Sequence, residues 1–394
     1  MRETLHIRDD RSLARLVERL ADASELALDT EFLRERTYYP KLCLLQLATS
    51  DLLALVDPFA VRDLDPLWET LTSDVEVVLH AAGQDLEIVQ RLAGTMPSRW
   101  FDTQVGAAFL GYGDAIGYSR LVERVIGKAP QHGEAYTDWS RRPLTPEQSR
   151  YALDDVRYLL ECADHVRGEL RSRGRLGWVY EELEEHSKRL RCPLEPEAQW
   201  TKVSGGRRLR GLRLAILREV AAWRERAAQE RDLPRQRVVP DRVLVEIARR
   251  APKSEAQVER LRGLHPREVG RSAAAIVQTV RRAEALSEER WPRWPTLPAN
   301  ADDPNVDALA SFLDAYLRSR ARELELSPRL LGARQELVLM AQLAASGELA
   351  ARGPERLRLL RGWRRETAGA ELVELLEGKA ALRVVDGARL VREP

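Results

Sequence analysis

Hydrophobic and polar positions along the first third of this 394-residue chain change period several times, and each change predicts an element. Leu13, Leu16, Val17 and Leu20 recur at helical spacing after Asp10, so a first helix is expected there. Three short apolar runs follow closely, LALDTEF (26–32), LCLLQLAT (42–49) and LLALVDP (52–58), an order that predicts a strand meander. VEVVLHAA (75–82) is apolar on both faces, the pattern of a central strand covered on both sides. Pro40 and Pro58 fall at strand ends, where a missing N–H is tolerated. From DLEIVQRLAG onward the spacing is helical to about residue 175. These periods define an α/β domain with a mixed sheet flanked by helices.

The pattern then changes character. RCPLEPEAQWTKVSGGRR (191–208) holds two prolines and a glycine pair and is expected to be a linker. Residues 209–290 carry four to five helical patterns with apolar spacings of three and four. A second break, WPRWPTLPANADDPN (291–305), holds four prolines and precedes another helical set at 306–394. Both sets open with a long helix, continue with short central ones and end on a helix that begins with glycine, which suggests an internal duplication. The expected division is an α/β domain (1–190), a linker (191–208), an all-α domain (209–290), a linker (291–305) and a second all-α domain (306–394).

Composition narrows the class. Hydrophobic residues make up 44% and charged residues 32%, with no apolar run near 18 residues, so a membrane protein is excluded. The opening MRETLHIRDDRSLARL lacks the apolar stretch of a signal peptide, and a cytoplasmic protein is expected. Cys43, Cys162 and Cys192 are scattered and form no CxxC pair, which argues against a disulfide framework or a zinc ribbon. The net charge of +1 hides an asymmetry. Residues 1–190 hold 24 Lys+Arg against 33 Asp+Glu, residues 191–290 hold 23 against 14, and the remainder 16 against 15. An acidic front repels a polyanion unless metal ions neutralise it, whereas the arginine-rich middle supplies a footprint for phosphate backbones. Solvated helix faces account for part of that arginine content.

Five residues carry the candidate chemistry. Asp29 and Glu31 lie two apart on an expected strand, so both carboxylates leave one face. Asp85 follows the strand at 75–82 and starts a helix. Tyr151 and Asp155 lie four apart on an expected helix and stack on one side of it. Any one of these acids alone reads more simply as a solvated carboxylate, and Tyr151 alone as a packing ring. Together they fit two hard cations, Mg²⁺ or Mn²⁺, which bind carboxylate oxygens and, about 3.5–4 Å apart, clamp a phosphodiester. Thr30, Phe32, His80 and Gln84 flank the acids and are candidate substrate contacts. For His80 the simpler reading is a structural histidine with its ring nitrogens satisfied, and Phe32 equally fits a place in the core. SGGRR (204–208) lacks the Gly-Lys-Ser/Thr ending of a P-loop, and no nucleoside triphosphate site is visible.

The motifs DTEFLRERTYYPKLCLLQLA, HAAGQDLEIV and DWSRRPLTPEQSRYALDDVRYLL, in this order, resemble the ribonuclease D family, in the tyrosine-bearing DEDDy branch of the DEDD exonucleases. The two helical sets resemble HRDC domains, the second less closely. The resemblance spans nearly the whole chain and shows no departure at the five positions. It implies a ribonuclease H-like exonuclease domain followed by two HRDC-type domains. It further implies a metal-dependent 3′-5′ exoribonuclease that trims single-stranded 3′ ends of structured RNA such as tRNA precursors and releases nucleoside 5′-monophosphates. By the same resemblance Asp29, Glu31, Asp85 and Asp155 are metal ligands for two Mg²⁺ or Mn²⁺ ions. A phenol with an ordinary pKa near 10 is a poor base, so Tyr151 is expected to orient the attacking water. The expected partner is RNA and the expected state a monomer. Two alternatives stand beside this reading, a 3′-5′ DNA exonuclease and a nucleic-acid binding protein with a vestigial nuclease site.

Overall fold

The computed structural model describes residues 2–128, 137–192, 195–294, 304–386 and 389–393. They fall into two compact units, one of Met1–Glu31, Leu42–Arg191 and Leu297–Pro394, the other of Phe32–Lys41 and Cys192–Thr296.

The first unit opens with strand β1 (Glu3–Ile7), helix α1 (Asp10–Leu20), β2 (Glu25–Leu33), β3 (Lys41–Ala48) and β4 (Leu52–Val56). Helix α1 begins where expected because Asp9 accepts the Ser12 amide in a capping box. Then come α2 (Asp65–Thr72), β5 (Glu76–Leu79), α3 (Gly83–Ala93), β6 (Arg99–Asp102), α4 (Thr103–Ala108) and α5 (Tyr118–Ile126). Helices α6 (Pro146–Arg157), α7 (Leu159–Ser172) and α8 (Leu176–Arg191) complete the α/β part.

The six strands form one sheet in the order β1-β4-β3-β2-β5-β6. β1 runs parallel to β4 with Ile7 opposite Val56, β3 antiparallel to β4 with Leu45 opposite Val56, and β2, β5 and β6 are parallel to one another. The mixed α/β domain is therefore as expected, and its fully buried β5 lies inside the sheet. The short outer strands β1 and β6 were not foreseen. Leu26, Ala27 and Leu28 are buried at 0–1% exposure. Successive residues face opposite sides of the sheet, so β2 is covered on both faces here.

In the second unit α9 (Gly211–Glu230), α10 (Arg235–Val238), α11 (Asp241–Arg250), α12 (Glu255–Glu259) and α13 (Pro266–Glu284) enclose a core of Leu214, Leu217, Val220, Leu244, Ile247, Ile276 and Val280. The expected linker 191–208 is corrected here. Residues Pro196–Lys202 and Gly206–Arg208 form 3₁₀ helices, and Trp200 and Val203 join that core. Trp294 packs on Trp200 at 4.5 Å between ring centroids and donates its indole N–H to the Leu209 carbonyl at 3.2 Å. Most of the second expected linker, 295–303, lies outside the described residues.

The chain continues with α14 (Pro304–Glu323), α15 (Pro328–Leu331), α16 (Arg334–Ala345), α17 (Leu349–Arg356), α18 (Gly362–Arg364) and α19 (Ala370–Leu376). A hairpin of β7 (Ala381–Val385) and β8 (Arg389–Glu393) follows, in a segment expected to be all-α. These elements belong to the first unit. Trp363, 1% exposed, lies between Phe109 (4.9 Å) and a stacked Trp178 (5.4 Å). Glu182 binds both Arg364 (2.7 Å) and Arg358 (2.8 Å).

Candidate active site

The acids reach their places by separate local devices. Asp29 and Glu31 sit on one face of β2. Helix α6 is started by a reciprocal cap between Thr145 and Gln148, with Pro146 at its first position, and it buries Ala152, Leu153 and Val156. That burial turns the opposite positions, Tyr151 and Asp155, toward β2. The Tyr151 ring lies 6.0 Å from the buried Trp139 ring. Asp85 occupies the first turn of α3, where the free amides of a helix start favour an anion. It is 7% exposed and accepts the Thr30 hydroxyl.

Asp29, Glu31 and Asp155, from two distant segments, each offer a ligand atom, and these atoms lie within 4.8 Å of one another. Such crowding of like charge shows in the titration of every member. Asp29 is pushed well above the usual carboxylate range, first by burial and then by Asp85 and Asp155. Glu31 is raised to about 9 by burial, Asp29 and Asp85. Asp155 is raised to about 8 by burial, Glu31 and Asp154. Asp85 reaches about 6 through burial, partly offset by the Thr30 hydroxyl. Tyr151 is raised by burial and by Asp155, Glu31 and Asp29, so its phenol faces the cluster and keeps its proton near neutrality. This set contains no histidine or cysteine. Its hard oxygen donors fit Mg²⁺ or Mn²⁺ better than zinc.

Two supporting groups were not legible in the sequence. The Asp102 carboxylate, 4% exposed, accepts four backbone amides, those of Ala81 (3.1 Å) and Ala82 (2.9 Å) ahead of α3 and those of Gln104 (2.8 Å) and Val105 (3.3 Å) in α4. It thereby fixes the turn that launches Asp85, in which Ala81 takes a positive φ of 59°. The second group is Tyr118. Its hydroxyl donates to the Asp154 carbonyl at 3.0 Å and accepts the Tyr158 amide at 3.2 Å. Those two backbone groups are i and i+4 partners, so the phenol is spliced into the helix ladder where α6 gives way to α7. Asp155 is the next residue along.

The candidate substrate contacts separate. Thr30 is 5% exposed and its hydroxyl is committed to Asp85, which corrects its expected role to support of a carboxylate. Of the two readings of His80 the structure has the structural histidine: its Nδ1 pairs with the Thr103 hydroxyl at 2.9 Å and its Nε2 with the Ile116 carbonyl at 3.0 Å. Phe32 is half-buried beside Glu31, outside the core. Gln84 is exposed beside Asp85.

Comparison with known proteins places this geometry. The 3′-5′ exonuclease family matches residues 5–171, and the HRDC domain family residues 213–280. Ribonuclease D of Sphingobium indicum is 36% identical over 388 residues, covering 97% of this chain and 96% of the relative. Ribonuclease D of Nitrobacter hamburgensis is 38% identical over 385 residues, covering 96% and 97%. The crystal structure of Escherichia coli RNase D, an exoribonuclease involved in structured RNA processing, superposes with a TM-score of 0.84 at 32% identity, covering 96% of this chain and 99% of that one. The catalytic core of RRP6 from Trypanosoma brucei, 23% identical with a TM-score of 0.56, shares the fold.

Fold and site together define a 3′-5′ exonuclease of the divalent-metal-using class. The chain belongs to the ribonuclease D family, whose activity is that of a hydrolase, a 3′-5′ exoribonuclease. Among the described residues no helix is long and apolar enough to cross a membrane.

Proposed function

We propose that Asp29, Glu31, Asp85 and Asp155 hold two divalent ions and, with Tyr151, trim single-stranded 3′ ends of structured RNA such as tRNA precursors. The observation that carries this reading is the convergence of three carboxylates from β2 and α6 within 4.8 Å. Asp29, Glu31 and Asp155 form one ligand group, and Asp85, held by Thr30 and raised in pKa chiefly by its burial, serves a second. The bound ions supply charge neutralisation at the scissile phosphate and a water of lowered pKa. Tyr151 keeps its proton and orients that water by hydrogen bonding, a role its upward-shifted pKa supports. Phe32 and Gln84, exposed or half-exposed beside the acids, contact the terminal nucleotide. The products are nucleoside 5′-monophosphates, released one at a time. The structured-RNA substrate is drawn from what is described for the E. coli protein.

The test is a gel assay of 5′-labelled single-stranded RNA and matched DNA with Mn²⁺, Mg²⁺ or EDTA, beside Asp155→Ala and Tyr151→Phe. The expected result is a metal-dependent ladder shortening from the 3′ end of RNA, absent in Asp155→Ala and slowed in Tyr151→Phe. A ladder that persists in EDTA or in Asp155→Ala refutes the assignment.

A further inference from the structure

Some arginines of the second unit are tied into its fold. Arg224 binds Asp241 at 2.6 Å, and Arg231 and Arg235 bind Glu268 and Glu225, each at 2.5 Å. Others stand singly on the surface, as Arg271 does on α13. A positive net charge therefore does not by itself locate a ligand. Arg242 and Arg249 of α11 are set apart because they share a cavity of about 640 Å³. Both are exposed, and neither makes a hydrogen bond or ion pair among the described residues. Seven residues apart, they lie two turns from each other on one side of the helix, with a rise of about 10 Å between them.

The rest of the cavity is built around that pair. Val245, one turn after Arg242 and 6% exposed, gives it an apolar floor. Facing Val245 is backbone without a side chain: Gly205 has a φ of 79°, and a Cβ there would lie 3.8 Å from a Val245 methyl. Arg242 is positioned by packing. Its guanidinium lies over Gly263, where a Cβ would come within 3.0 Å of Nε and 3.1 Å of Nη2. The acid that lines the cavity, Asp241, is already satisfied, since besides Arg224 it accepts the Ser204 amide at 2.9 Å and the Gln236 side-chain amide at 3.2 Å. Glu246, beside Val245 in the helix, pairs with Arg250. What the cavity still offers is two guanidinium groups and the exposed Ser204 hydroxyl.

Donors without acceptors call for an anion. We infer that this groove holds the sugar–phosphate backbone of one RNA strand, with one phosphate on Arg242 and another on Arg249. Two charges set about 10 Å apart along a helix serve two phosphates of a strand better than they serve one free anion. The bare wall at Gly205 leaves room for the ribose between them. Gln236, the lining side chain best suited to read a base edge, is spent on Asp241, so the grip is independent of sequence. The inference rests on RNA as the substrate.

The test measures binding of a 5′-fluorescein RNA of 12 nucleotides to the full-length protein in EDTA, by anisotropy, between about 50 and about 200 mM salt. Arg242→Ala, Arg249→Ala and the double variant are compared with Arg242→Lys, and with Arg271→Ala, which removes the same charge from outside the cavity. Melting curves check that each folds. Each alanine in the groove should weaken binding about tenfold at low salt and lower the slope of log affinity against log salt by about 0.7. Arg242→Lys should keep the slope, and Arg271→Ala should bind as the native protein does. Native affinity and slope in the double variant, or an equal loss in Arg271→Ala, overturns the inference. Metal-dependent shortening of the same RNA by the native protein tests the catalytic reading separately. An inactive native protein whose double variant still loses affinity refutes that reading and supports the groove.

Discussion

In the metal-free protein, Asp155→Asn should raise stability while it abolishes activity. Asp155 is held between Glu31 and Asp154, and burial and those charges lift its pKa from 3.8 to about 8. The sign follows from proton counting. Below about pH 4 both folded and unfolded chains keep the proton and nothing is lost. Between pH 4 and 8 the unfolded chain releases a proton that the folded chain retains, so stability falls by about 1.4 kcal/mol per pH unit. By pH 7 the accumulated cost approaches about 4 kcal/mol as a ceiling, and asparagine, which does not titrate, escapes it. Even a gain of about 2 kcal/mol raises the melting temperature by roughly 4–8 °C for a unit of this size. The assay is thermal unfolding by circular dichroism in EDTA from pH 4 to pH 8. The variant and the native protein should melt together at pH 4 and diverge progressively toward pH 8, and added Mn²⁺ should stabilise the native protein alone. A variant that melts below the native protein at pH 7.5, or a difference indifferent to pH, would refute the reasoning.

Three further substitutions address the supports of the site and of the fold. Thr30→Val keeps the shape but removes the hydroxyl that Asp85 accepts. It should cost about 1–3 kcal/mol in urea unfolding and move the Mn²⁺ activation midpoint to higher concentration, and an unmoved midpoint counts against the role. Tyr118→Phe removes the spliced hydroxyl; turnover at saturating metal should fall roughly 10–100-fold with little change in substrate KM, whereas native turnover would show that Asp155 is placed without it. Glu182→Ala strands the 5%-exposed Arg364 without its carboxylate. A loss of about 3–5 kcal/mol is expected in urea, and a loss below about 1 kcal/mol would mean that the pair is not desolvated as described.

The convergence of Asp29, Glu31 and Asp155 was readable because these residues belong to secondary structure with strong periods. A strand fixes the face shared by Asp29 and Glu31, and a capped helix fixes the one shared by Tyr151 and Asp155, so sequence spacing translates directly into geometry. Asp102 and Tyr118 were not readable because they act through backbone amides and carbonyls of segments 20 and 36 residues away, and no local pattern marks such a partner. Thr30 lacked a marker for the same reason, and of the two readings of His80 only the fold shows that the structural one holds, its ring nitrogens being already spoken for. The linker reading of 191–208 trusted prolines and glycines over Trp200, a large side chain that needs a core. The terminal hairpin did carry a signal, since Asp386 and the glycine after it stand between two alternating runs, and Asp386 takes a φ of 55° as such turns require.

The aromatic wedge of Trp363 between Phe109 and Trp178 bears on how the gene can be cut. The α/β part of the chain is not a detachable cassette. A fragment ending after Arg191 would uncover Phe109 and Trp178 and leave Glu182 without Arg358 and Arg364. Such an exposed apolar patch invites aggregation. A minimal version of this protein would therefore keep the C-terminal helices and dispense, if anything, with the arginine-rich bundle between.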